Sequence, residues 1–195
     1  SIVIFAQHFL KITMKNNQLF LTIGLVLLAV VSRIIGAETG AFNFAPVVAI
    51  GLVSGLLIKD AKTAILIALL GQFVADVYFQ IFPTATNIGF YGISQVFVYL
   101  GLIAAAFIGK SLHKVSATTI VGGTLAASTV FFILSNLGVF LQGYYGLSIA
   151  GFVKTYTMAI PFFKASVQGD MLGSLVIFGA YFLAKIAFSS KLRTA

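Results

Sequence analysis

Cysteine is absent from the 195 residues, which excludes disulfides, thiol catalysis and thiolate metal sites. Histidine is almost absent: His8 and His113 both stand beside basic, loop-like sequence, and two residues so placed make no metal site. Charge is scarce as well. Only 8% of the residues are charged against 60% hydrophobic, with a mean hydropathy of +1.10, too little polar surface to cover a water-soluble globule of this size. A net charge of +8 suggests nucleic acid in a soluble protein. Here the basic residues come one or two per loop, as topology signals do, and no nucleic-acid partner is expected. There is no glycine-rich phosphate loop of the ATPase kind and no nucleophile with a base partner, so neither an enzyme nor a cofactor is expected.

What is present is apolar helix. A span needs about 20 apolar residues, and the unbroken runs do not alternate as barrel strands do. The expected fold class is an all-α membrane protein with six transmembrane helices, at residues 19–36, 44–58, 62–82, 89–109, 118–142 and 168–188. The second run is short and opens with Asn43-Phe44-Ala45-Pro46, which suits proline in a first helical turn. Residues 143–167, rich in Gly and Tyr and interrupted at Pro161, read as a re-entrant or interfacial segment between helices 5 and 6. Residues 1–13 hold an apolar stretch too short to span, and Met14-Lys15-Asn16-Asn17 looks like a bacterial start. They are read as an N-terminal extension, non-native or interfacial, ahead of one domain at 14–195.

Orientation follows from the basic residues. With a cytoplasmic N-terminus, Lys11, Lys15, Lys59, Lys62, Lys110, Lys114, Lys185, Lys191 and Arg193 are inside, against Arg33, Lys154 and Lys164 outside. Both termini are expected in the cytoplasm. Gly51 with Gly55, Ala64 with Ala68, and Gly71 with Ala75 are small residues four apart, suited to close internal packing or to docking another membrane subunit.

The polar residues gather at one depth. Gln72 and Asp76 share a face of the third helix, Asn136 lies on the fifth, Gln95 near the start of the fourth, and Asn43 and Asp170 at the openings of the second and sixth. Arg33 closes the first helix, and Tyr156 and Lys164 belong to the outer connection. An ionisable group inside a bilayer is normally turned inward and paired, so Asp76 reads either as a ligand contact or as the salt-bridge partner of Arg33. Asn136 suits an interhelical hydrogen bond equally well, and Asn43 and Asp170 suit N-caps of their own helices. With Phe42, Phe44, Tyr78, Tyr91, Phe162 and Phe163 nearby, the set describes an apolar cup with a few placed polar groups, as small-molecule sites are built. The substrate-binding candidates are Asn43, Gln72, Asp76, Gln95, Asn136, Tyr156, Lys164 and Asp170, with segment 143–167 closing over the ligand and Lys164 or Arg33 meeting an anionic group.

The run Asn43 to Ala49, Asp76, Phe131-Phe132 with Asn136, Tyr156 with Ile160-Pro161-Phe162-Phe163, Gly169-Asp170 and Phe178-Gly179 resembles a family of uncharacterised bacterial proteins classed with transport. That family is similar to the substrate-binding S components of energy-coupling factor (ECF) transporters. The resemblance implies capture of a vitamin-like micronutrient at the outer face of the bacterial inner membrane. Delivery would then depend on a coupling subunit and two ATPases. Two residues depart from the pattern: S components carry an alanine pair four apart on the first helix for docking, whereas Ala29 is followed by Arg33, and Phe140 stands where the family has Trp. The competing reading is a non-catalytic accessory subunit of another membrane complex, its polar cluster serving as internal glue.

Overall fold

The computed structural model describes residues 2–41, 43–58, 60–84 and 89–191, with side chains described between Leu19 and Leu183. Phe42, Lys59 and Arg193 lie outside the described residues, as do the side chains of Lys11, Lys15, Lys185 and Lys191. The described chain is all helix: α1 (Ile2–Glu38), α2 (Val47–Leu57), α3 (Ala61–Ile81), α4 (Ile93–Ser111), α5 (Ala117–Leu141) and α6 (Ile149–Lys191). Five of these, all but α2, contain stretches long and apolar enough to cross a membrane, the composition of a multi-pass membrane protein.

The second span is shorter than expected. At 1.5 Å per residue the 11 residues of α2 cover about 16 Å, roughly half a bilayer's hydrocarbon core. Gly40 and Asn43 both take positive φ, 73° and 58°, and Pro46 disfavours helix at the residue before it, so the described residues between α1 and α2 stay non-helical. Pro46 is the N-cap and makes no side-chain cap bond.

The break expected within 143–167 is absent, because α6 continues through Pro161 for 43 residues. Proline cannot bond back to the carbonyl four residues earlier, but water is not at hand in an apolar setting to satisfy further opened groups, which favours helix on both sides. Within that segment irregular backbone is confined to residues 143–148, around Gly143 and Gly146, whose φ values are 78° and 86°.

The helices alternate in direction. Ala29 faces Gly71 and Arg33 faces Asp76, so α1 and α3 run together. Phe132 meets Phe163 and Thr124 meets Ser174, so α5 and α6 run oppositely. At one end Lys110 Nζ donates to the Ile58 carbonyl at 3.3 Å, joining the tails of α2 and α4 beside Lys62 and Lys114.

Close packing dominates that half. A Cβ on Gly55 would collide with the Ala106 carbonyl, and one on Gly109 with the carbonyl of Leu52, so α2 and α4 touch backbone to backbone. Gly51, Ala64, Ala68, Gly71 and Ala75 are all buried. The small-residue pairs therefore serve internal packing. Ala29, 1% exposed against Gly71, also faces inward.

Candidate functional site

Among the described residues α1 packs along α3 and α5 along α6, and the backbones of one pair stay apart from those of the other; α2 and α4 bridge them. At the end away from Lys110 the gap is a cavity of about 780 Å³, within the range of small-molecule sites. Its floor is the start of α2, with Phe44, Ala45, Val47 and Val48.

One wall is polar. Asp76 is fully buried and accepts from Arg33 Nη1 at 2.7 Å, Gln72 Nε2 at 3.1 Å, Gln95 Nε2 at 3.1 Å and the Tyr99 hydroxyl at 3.2 Å. Arg33 Nη1 also donates to the Gln72 carbonyl at 3.0 Å, and its guanidinium lies 5.5 Å from the Phe79 ring centre. Gln72 Nε2 reaches the Tyr91 hydroxyl at 3.3 Å. The carboxylate thus sits behind the wall as an anchor for α1, α3 and α4. What it holds at the cavity surface is Arg33, Gln72 and Tyr91.

The opposite wall is aromatic. Phe131 and Phe132 of α5 face Phe162 and Phe163 of α6, with the Phe132 and Phe163 ring centres 4.5 Å apart. Ser135, Asn136 and Ser166 supply its polar atoms. Asn136 Nδ2 donates to the carbonyl of Phe132 at 2.8 Å, a bond within its own helix rather than the expected one between helices.

Beneath the floor lies a second carboxylate. Asp170 Oδ1 accepts from the backbone N–H groups of Val48 and Ala49, each at 3.1 Å, and Oδ2 from the Ser128 hydroxyl at 2.8 Å. It caps α2 from across the bundle instead of capping its own helix, which is continuous there. A carboxylate at a helix N-terminus meets both the orphan donors and the positive dipole end.

Of the eight candidates, Asn43, Gln72 and Asn136 line the cavity together with Arg33. Asp76 and Gln95 stand directly behind the polar wall, and Asp170 beneath the floor. Tyr156 is a seam residue, its hydroxyl donating to the Ile133 carbonyl at 2.8 Å and its ring 5.8 Å from that of Phe132. Lys164 is exposed and does not line the cavity. Asn43 makes no cap bond and lines the cavity from the loop before α2. Phe140 packs edge-on against Phe152 at 5.3 Å, outside the main cavity. No group of three or more metal-ligating side chains occurs among the described residues.

The profile of a family of unknown function, DUF6580, matches residues 13–192, and so takes in both walls, the floor and both carboxylates. The chain belongs to DUF6580. Neither a curated protein nor a solved structure matches it. The motifs read from the sequence, from Asn43 to Gly179, all fall within the DUF6580 match.

Some lining residues of this DUF6580 chain, Ala159 and Ser166 among them, escape the sequence reading, which names Phe162 and Phe163 but not the helical face they share. Ala159, Phe162, Phe163 and Ser166 follow the i, i+3, i+4, i+7 pattern of one helical face. That pattern is present in the sequence, but treating 143–167 as a broken connection conceals it. Tyr99, one turn after Gln95, is likewise recognisable as sharing its face.

Proposed function

We propose that this chain is a substrate-binding membrane protein, similar in role to an ECF S component, that captures a small vitamin-like molecule for ATP-driven uptake by partner subunits. The observation that carries the reading is the cavity, with hydrogen-bonding groups on one wall, stacked rings on the other and a closely packed base. The chain itself catalyses nothing in this reading; its work is to select, hold and hand over.

The basic end is taken as cytoplasmic in the bacterial inner membrane, which turns the cavity outward and puts both termini inside. Coupling to partners would not use Ala29 and Arg33, since both are engaged within the molecule. Lipid-facing surfaces such as those around Gly122 and Gly179, where nothing lies within 4 Å, are better candidates.

Native mass spectrometry of the protein gently extracted from its own membranes tests the reading. A retained metabolite, or co-purifying ATPases with a coupling subunit, is the expected result. An empty cavity together with stoichiometric association with an unrelated complex would make the chain an accessory subunit.

A further inference from the structure

We infer that the cavity takes an uncharged flat ring compound with an amide edge, whether lactam or carboxamide, and a hydrogen-bond donor on its far side. This inference rests on the binding reading above and names its substrate class.

The hydrogen-bond bookkeeping at the two walls carries the argument. Arg33 has five N–H donors. The two on Nη1 are taken by Asp76 and the Gln72 carbonyl, while those on Nη2 and Nε have no partner among the described residues. Gln72 must turn Nε2 toward Asp76, because an ionised carboxylate only accepts, and its side-chain oxygen is then left without a partner. Tyr91 accepts from Gln72, so its hydroxyl proton is unassigned. No buried polar side-chain atom among the described residues lacks a partner, so the unpaired groups of Arg33 and Gln72 reach open space, and both residues line the cavity.

This wall therefore presents donors from Arg33 and Tyr91 beside an acceptor from Gln72. An amide edge, with its C=O beside its N–H, complements that pair. A carboxylate would satisfy Arg33 but bring a second anion close to Asp76 and an oxygen against the Gln72 oxygen. A cationic head would meet the Arg33 guanidinium. Because Arg33 is already neutralised by Asp76 at 2.7 Å, an uncharged ligand leaves the site balanced.

Across the cavity the code is simpler. One of the two Asn136 Nδ2 hydrogens goes to the Phe132 carbonyl, which orients the amide, and Oδ1 is left as an acceptor without a partner among the described residues. On the same wall Phe131, Phe132 and Phe163, with Phe44 from the floor, offer apolar faces on which a flat ring stacks.

Three naphthalenes differing only in the head group test this on the full chain in detergent: 2-naphthamide, 2-naphthoate and 2-naphthamidine. The chain has no tryptophan, so naphthyl fluorescence reports binding directly. The amide is expected to bind about tenfold or more tightly than either charged analogue, because each charged head leaves one wall group unpaired or repelled. Adding a 6-hydroxyl to the amide is expected to raise affinity about fivefold, and the ratio of hydroxylated to plain affinity should fall to about one in Asn136→Leu. Equal or tighter binding of naphthoate or naphthamidine overturns the inference, as does a hydroxyl gain that persists in Asn136→Leu. If none of the three binds, the substrate class is wrong. A native metabolite retained by the same preparation would then leave the binding reading standing, and an empty preparation associated with an unrelated complex would remove both.

Discussion

The two buried carboxylates flank the same cavity but are held in opposite ways. Asp76 is surrounded by side chains, one a cation, drawn from three helices. Asp170 has no ion-pair partner among the described residues; two backbone N–H groups and a serine hydroxyl hold it at a helix end. The first arrangement fixes the direction of side chains that face the cavity, and the second fixes the depth at which a helix begins. A charge can be buried by pairing it or by placing it on a dipole, and this protein uses each for a different positioning task.

The largest effect should come from removing the cation. Arg33→Leu leaves Asp76 buried and uncompensated, with an expected loss of about 3–5 kcal/mol in unfolding from mixed micelles. The double variant Arg33→Leu with Asp76→Leu should recover most of that loss. If it is no more stable than the single variant, the neutral donors matter more than the charge, and the contrast with Asp170 disappears.

Next comes Asp170→Leu, which orphans two N–H groups of α2 and should cost about 2–4 kcal/mol. Asp170→Asn keeps an acceptor for both and should stay within about 1 kcal/mol of the parent. Asp76→Asn should be much worse, since it strands Arg33. Equal penalties for the two asparagine variants in the same melts would remove the contrast between a charge held by a cation and one held by a helix end.

The smallest effect is at the surface, where two helix caps form a second matched pair. Asp60 accepts from Thr63 N at 2.7 Å at the head of α3, and Ser116 from Thr119 N at 3.2 Å at the head of α5. Hydrogen bonds from the Thr63 side chain and backbone hold the Asp60 carboxyl below its ordinary value. Its contribution is thus present above the unfolded-state pKa and is lost as pH falls through the lower folded value; the serine cap does not titrate. Amide exchange at Thr63 should rise relative to Thr119 only in that acid window, and parallel behaviour of the two amides would refute the charged cap.

Much of this is legible in the sequence, and the residues show where legibility stops. Gln72 and Asp76 share a face by spacing alone, and the pairing of Asp76 with Arg33 is one of two readings that hydropathy allows. Asp170 is legible as a cap but not as a cap of α2, because that pairing spans more than 120 positions and no local pattern encodes it. Lys164 and Tyr156 are misplaced by any reading that takes Pro161 as a boundary. Once the helix is continuous, residues 159, 162, 163 and 166 turn inward and Lys164 turns away. The half-length of α2 is hidden as well, since Phe44 and Ala45 are apolar enough to extend the run that Pro46 in fact starts.

That half-length helix also determines what kind of barrier stands below the cavity. Any molecule resting on the start of α2 is separated from the basic end by about 16 Å of protein. The seam there is made of main chain, Gly55 against Ala106 and Gly109 against Leu52, not of side chains. A rotamer flip opens a gate built from side chains, but it cannot separate backbones that already touch. A path between α2 and α4 is therefore closed at the level of the fold, and in the uptake role proposed above cargo would cross only if the protein moved as a body with it.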